Sequence, residues 1–270
     1  MSFLRTAAAF LKKDLLEQFS YRFALLFQLA GLVLLLFFVA VFSEFVGGLV
    51  EAKLARYEGS YFAFVVVGLG LYSFLEGSVY HLSRGIRRAQ VIGTLEALLA
   101  TRTSMPTLVM CVPLYALLGT SLRVLVILLF GALFFDMPLR TGNLPAALLV
   151  FALTVAAFGG LGLFVAGLTI AFKRSEPVAG LISIASLLLG GVYFPVDALP
   201  EWLERASVLT PLTPALEGLR LCLLADVPFA ELRPSVLGLV AFAALLVPCG
   251  AAFFRWSLRR AMRDGTLTQY

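Results

Sequence analysis

Residues 82–104 read Leu-Ser-Arg-Gly-Ile-Arg-Arg-Ala-Gln-Val-Ile-Gly-Thr-Leu-Glu-Ala-Leu-Leu-Ala-Thr-Arg-Thr-Ser. Arg84, Arg87, Arg88 and Arg102 stand there against a single acid, Glu96. On both sides lie apolar runs of the length that crosses a bilayer, about 20 residues. A basic, partly helical stretch between two such runs is retained in the cytoplasm. Its reading therefore decides both the fold class and the way the chain is threaded.

Working outward, apolar residues make up 61% of the chain and charged residues 14%. A soluble domain carries about 45–50% and about 25%. The mean hydropathy is +0.98. In lipid the backbone must satisfy its own hydrogen bonds, so these runs are helices. The alternating strands of a membrane barrel are absent. The expected fold is an all-α polytopic membrane protein with six transmembrane helices, at about 23–43, 60–81, 106–135, 146–172, 178–194 and 235–254. Before them, Leu4, Ala8, Leu11, Leu15 and Phe19 form one helical stripe, with Lys13 and Glu17 on another face. Residues 1–22 thus read as an amphipathic helix on the membrane surface. Charges interrupt it, so it does not read as a cleavable signal. Residues 23–270 form the six-span domain, with a polar loop at 82–105 and a long segment at 195–232 between spans 5 and 6.

Six spans place both termini on one side. Arg5, Lys12, Lys13, Arg22, the four arginines of the loop, Lys173, Arg174, Arg255, Arg259, Arg260 and Arg263 fall on that side, fourteen of the 21 basic residues. Six fall opposite (Lys53, Arg56, Arg140, Arg205, Arg220 and Arg233) and Arg123 lies within span 3. The asymmetry predicts cytoplasmic N and C termini. The net charge of +5 is read through this placement and not as a nucleic-acid signal. Cys111, Cys222 and Cys249 have no paired spacing, and His81 is the only histidine, so neither a disulfide framework nor a metal site is expected.

The 195–232 segment contains two short amphipathic stretches separated by prolines, and neither can span. Pro195, Asp197, Pro200, Trp202, Pro211, Pro214 and Glu217 mark it as an outer, re-entrant pair of short helices. Trp202 suits the interface, and Asp197 is placed to cap the first helix. Irregular backbone at that depth must be buried in protein or line a wet cavity. Within the spans, Glu76 and Arg123 are candidate polar sites. A mid-bilayer charge costs about 2.5–3.5 kcal/mol on insertion scales, so either a mutual pair or an interfacial position would account for them. The glycines of span 4 (Gly159, Gly160, Gly162 and Gly167) read as close helix packing.

Three motifs then resemble a known pattern: Gly-Thr-Leu-Glu-Ala-Leu-Leu-Ala-Thr at 93–101, Gly-Gly-Val-Tyr-Phe-Pro-Val-Asp-Ala-Leu-Pro-Glu-Trp-Leu at 190–203, and Leu-Thr-Pro-Ala-Leu-Glu-Gly-Leu-Arg at 212–220. In this order they resemble the permease subunits of type-2 ABC exporters, over nearly the whole chain. Arg102 stands where that pattern often has Pro. The resemblance implies two paired permeases, a homodimer, each engaging one ATP-binding subunit. It implies a coupling helix in the loop after span 2, and short helices after span 5 that bound the outer end of the path. The coupling interface would comprise Arg84, Arg87, Arg88, Ile92, Gly93, Thr94, Leu95, Glu96 and Leu99. Ile92, Leu95 and Leu99 recur at helical spacing and offer an apolar face for docking. The chain has no Gly-x-x-x-x-Gly-Lys-Ser/Thr motif, so ATP and its Mg ion belong to the partner subunit, and this chain by itself is not an enzyme.

The expectation is an exporter permease in a bacterial inner membrane, with membrane lipid around it and an amphiphilic, lipid-linked, glycan or drug-like cargo. Other classes compete with it. A membrane enzyme would cluster His, Asp, Glu or Cys at one face. A secondary transporter would show more buried charge and an internal repeat. An assembly scaffold needs neither.

Overall fold

The computed structural model describes residues 22–57, 60–91, 105–172 and 176–264. Its helices are α1 (Arg22–Leu54), α2 (Tyr61–Val91), α3 (Met105–Phe134), α4 (Leu144–Phe172), α5 (Glu176–Leu189), α6 (Glu201–Ser207), α7 (Leu212–Arg220) and α8 (Arg233–Arg263). A 3-10 turn at Ala55–Tyr57 joins α1 towards α2, another at Val196–Ala198 precedes α6, and a π turn at Leu221–Ala225 extends α7. No strand occurs among the described residues. The amphipathic helix expected at 1–22 lies outside them, except for Arg22.

Five helices are long and apolar enough to cross a membrane, and a sixth crossing follows if the bent α6–α7 pair counts as one. They differ sharply in burial. In α2, 83% of the apolar window is inside the bundle; in α1 and α8 it is 11%. Apolar content does not separate them, because α1 is at least as apolar as α2; α2 is enclosed because α1, α3, α4 and α7 pack around it. Phe64, Val66, Phe74, Leu75 and Val79 are fully enclosed. Phe74 packs against Phe151 and Phe158 of α4. By contrast Phe23, Phe27, Leu34 and Phe45 of α1 stand exposed, as lipid- or partner-facing residues do.

The bundle is drawn together by backbone contact. α4 and α8 pack along their length, with Gly160 beside Leu246 and Gly167 beside Phe253, so they run in the same direction. A Cβ on Gly160 would sit 2.5 Å from the Leu246 carbonyl carbon, and one on Gly162 would strike the Ser78 carbonyl of α2. Without a hydrophobic force between helices in lipid, such close approach is what joins them. Polar side chains are internalised on their own helices. Ser78 donates to the Phe74 carbonyl, Ser83 to Val79 and Thr154 to Val150, each at 2.8 Å. That removes unsatisfied hydroxyls from an apolar interior.

Three expectations need correction. Span 2, expected to end at about residue 81, runs on as α2 to Val91 and supplies the helical part of the basic stretch. Leu82 and Ile86 stay buried against Leu163, Ile170, Phe254 and Leu258, and this packing sustains the extra turns. Span 5, expected at 178–194, is the 14-residue helix α5, about 21 Å long and short of the roughly 30 Å apolar core. It ends at Leu189 because Gly191 turns into the left-handed region, with φ of 75°. Finally, Asp197 does not cap α6. It lies in the 3-10 turn, and the N-cap of α6 is Pro200, with no side-chain capping bond.

Candidate functional site

The candidate site has two parts, at opposite ends of α2. At the arginine-bearing end, the last turns of α2 carry Arg84, exposed, with its guanidinium 5.0 Å from the centre of the Tyr80 ring. Arg87 is half-buried one turn on. The Arg88 side chain and Ile92, Gly93, Thr94, Leu95, Glu96 and Leu99 lie outside the described residues. What is described is therefore the rigid helix that leads into the basic stretch.

At the other end, the segment 190–232 folds over the start of α2. α6 and the α7–π-turn helix meet at 89°. Pro195 and Pro211 are buried at the bends; Asp197 and Pro200 are exposed, Pro214 is half-buried, and the Trp202 ring stands 70% exposed. α7 turns Leu212, Leu216 and Leu219 inward. Arg220, one turn beyond Leu216, follows them in and retains 3% of its surface. Its Nε and Nη2 donate to the Phe64 carbonyl at 3.2 and 3.0 Å, Nη1 to the Gly191 carbonyl at 2.8 Å, and Nη2 also to the Val192 carbonyl at 3.0 Å. The guanidinium carbon lies 3.4 Å from the centre of the Phe64 ring. Gly68 makes the socket: a Cβ there would be 2.5 Å from the Val192 oxygen and 2.8 Å from Nη2.

One turn earlier on α7, Glu217 accepts a 2.5 Å hydrogen bond from the Tyr57 hydroxyl. Its other oxygen lies 2.9 Å from Arg56 Nη1, an ion-pair contact that lacks hydrogen-bond alignment. Burial first, then the negative charge of Glu217, pushes the Tyr57 phenol well above its ordinary range, so it stays protonated and donating. The loop between α3 and α4 braces the same end. The Arg140 amide donates to the Leu223 carbonyl at 2.8 Å, and Asn143 Nδ2 to the Val227 carbonyl at 2.7 Å.

The two intramembrane candidates are not brought together. Glu76 is half-buried and accepts from Tyr72 of its own helix at 3.3 Å. Arg123 is exposed on α3, and no ion pair joins the two among the described residues. The residues missed in the sequence are Arg220, Tyr57, Arg56 and Gly68. The charge count places Arg220 among the cations opposite the cytoplasm. The signal was present, because position 220 continues the Leu212–Leu216 stripe by one further turn.

The architecture is a helical membrane bundle with a bent, proline-edged segment pinned over one end and a basic helix end at the other. The family model for the ABC-2 type transporter matches residues 7–224. The chain belongs to the ABC-2 type transporter family. It is a multi-pass transmembrane permease, a transporter component that is not itself catalytic. The matched range takes in both halves of the candidate site and ends within the π turn that follows Arg220. Comparison with curated proteins gives no match. Family membership sets aside the readings as a membrane enzyme, a secondary transporter or a scaffold. An ABC-2 permease generally works with an ATP-binding subunit.

Proposed function

We propose that this chain is the membrane half of an ATP-driven exporter. In this reading two copies pair, and each binds one separate ATP-binding subunit that holds ATP and Mg. The assembly moves an amphiphilic, lipid-linked, glycan or drug-like substrate outward across a bacterial cell membrane by alternating access. Both termini lie in the cytoplasm, where the excess of arginine and lysine holds them.

The observation that carries the reading is the continuity of α2. One 31-residue helix, about 46 Å long, runs from the anchor of the re-entrant segment to the arginine-bearing end. A force applied by an ATPase at residues 92–99 would enter a rigid rod that is buried on nearly all sides. Ile92, Gly93, Thr94, Leu95, Glu96 and Leu99 would form the docking surface, and Arg84, Arg87 and Arg88 would keep it on the cytoplasmic side. The exposed apolar faces of α1, α3 and α8 support contact with lipid and with a second permease.

The test is co-purification with a candidate ATPase, followed by ATP turnover in membranes. The combined change Leu95→Ala and Glu96→Ala is expected to lower ATPase retention about tenfold, the effect of removing about 1.4 kcal/mol of interface energy. If no ATPase binds, or if retention is unaltered by the change, the coupling reading is wrong.

A further inference from the structure

We propose that Arg220 is a positioning residue for transport: it makes the re-entrant segment move as one body with α2. The inference rests on the permease reading above and assigns this site its mechanical role.

The geometry is that of a coupling and not of a simple core contact. Arg220 belongs to α7, and its acceptors lie on two other parts of the chain: Phe64 in the first turn of α2, and Gly191 and Val192 at the break after α5. They stand 156, 29 and 28 residues away in sequence. Every acceptor is a backbone carbonyl, so the clamp reports the position of main chain and not the rotamer of a side chain. Among the described residues no carboxylate pairs with the guanidinium within ion-pair distance. An apolar side chain of similar size would fill such a site at less desolvation cost. What the arginine adds is direction: a planar fork that fits two strands of carbonyls only when α2 and the 190–192 bend keep their relative placement. Gly68 gives the room for that fit. Glu217, through Tyr57 and Arg56, ties the same helix to the turn just before α2. A displacement of α2 therefore carries α7, and with it α6, while the clamp holds.

The experiment uses the full chain in complex with its ATPase, reconstituted in nanodiscs. The native cysteines are replaced, and Leu209→Cys, in the exposed turn between α6 and α7, serves as the probe. The rate of thiol labelling is measured with and without ATP trapped by vanadate. In the otherwise native chain the trapped state is expected to change the rate at least about fivefold, the low end for linked sites. Arg220→Met is expected to hold that response below about twofold while ATP turnover continues, and Arg220→Lys to fall between. A full nucleotide response in Arg220→Met overturns the proposal, because the arginine would then be only a packing element. If the native chain turns over ATP without any labelling response, the proposal also fails, while the permease reading stands. If no ATPase is retained, the reading itself has failed. Should Arg220→Met not fold, Gly68→Ala keeps the charge but obstructs the socket. It is expected to weaken the response, and an undiminished response there refutes the clamp.

Discussion

A close backbone approach between α4 and α8 sets up a test in which one chemical change has opposite signs at two places. In Gly160→Ala the new methyl would lie 2.5 Å from the Leu246 carbonyl carbon, 2.6 Å from the Val247 nitrogen and 2.7 Å from the Leu246 oxygen. Carbon atoms prefer about 3.5–4.0 Å, so α8 must retreat by about 1 Å. The obstacle is backbone, which cannot swing aside as a side chain would. Overpacking of this kind costs about 1–3 kcal/mol. Against unyielding backbone the upper part of that range applies, about 2–3 kcal/mol; the gain in helix propensity returns at most about 1 kcal/mol, leaving a net loss of roughly 1–2 kcal/mol. Gly31 on α1 has nothing within 4 Å of its would-be Cβ. Gly31→Ala should therefore be neutral or stabilise by up to about 1 kcal/mol. Both variants are unfolded by SDS titration from mixed micelles and followed by far-UV circular dichroism. If Gly160→Ala is as stable as the parent, or shifts in the same direction as Gly31→Ala, the backbone-contact account of the bundle is wrong.

Three further outcomes follow from the polar end. Tyr57→Phe keeps the buried ring but removes a hydrogen bond to a carboxylate, worth about 1.5–3 kcal/mol. Because Glu217 is 27% exposed, the lower part of that range is expected, and a double-mutant cycle with Glu217→Gln should show a coupling above about 0.5 kcal/mol. The raised Tyr57 pKa fixes the sign of a pH effect. Between its ordinary value of 10.0 and its higher folded value, the folded chain holds a proton that the unfolded chain has lost, so this contribution is intact below 10 and declines as pH rises further. Thermal unfolding at rising alkaline pH should show that decline, and Tyr57→Phe should flatten it. Asp197→Ala should alter stability by no more than about 0.5 kcal/mol, since Asp197 caps nothing; a loss near 1 kcal/mol, the usual worth of an N-cap, would contradict the observed turn.

The extent of each helix was only partly legible. Hydropathy found the start of α2 to within one residue, at Tyr61, but not its continuation to Val91. Polar residues such as Ser83 and Arg84 look like a loop until Leu82 and Ile86 are seen buried against α4 and α8. The bend after α5 was marked by Gly190 and Gly191, yet the apolar run through Val192 to Phe194 carried the expected span past it. In the segment at 195–232 the prolines flank the two short helices, Glu201–Ser207 and Leu212–Arg220. Capping by Asp197 is plausible from spacing alone, and fails because Pro200, three residues further on, holds the N-cap position of α6.

By itself the sequence determined the class of the protein: its apolar helices must sit in lipid, its arginines are unevenly shared between the two ends, and its motifs mark it as an ABC-2 permease. Hydropathy and charge are local properties, and a single strand of residues suffices to state them. Only the tertiary structure decided which helix is central and which cation is buried. α1 and α2 are both apolar, yet one is largely exposed and the other enclosed, because enclosure depends on what neighbouring helices supply. The Leu212–Leu216 stripe puts Arg220 on an inward face, but only the fold brings the Phe64 carbonyl, 156 residues away, beneath it as a partner. A charge can be buried only where its partners converge, and that convergence belongs to the fold.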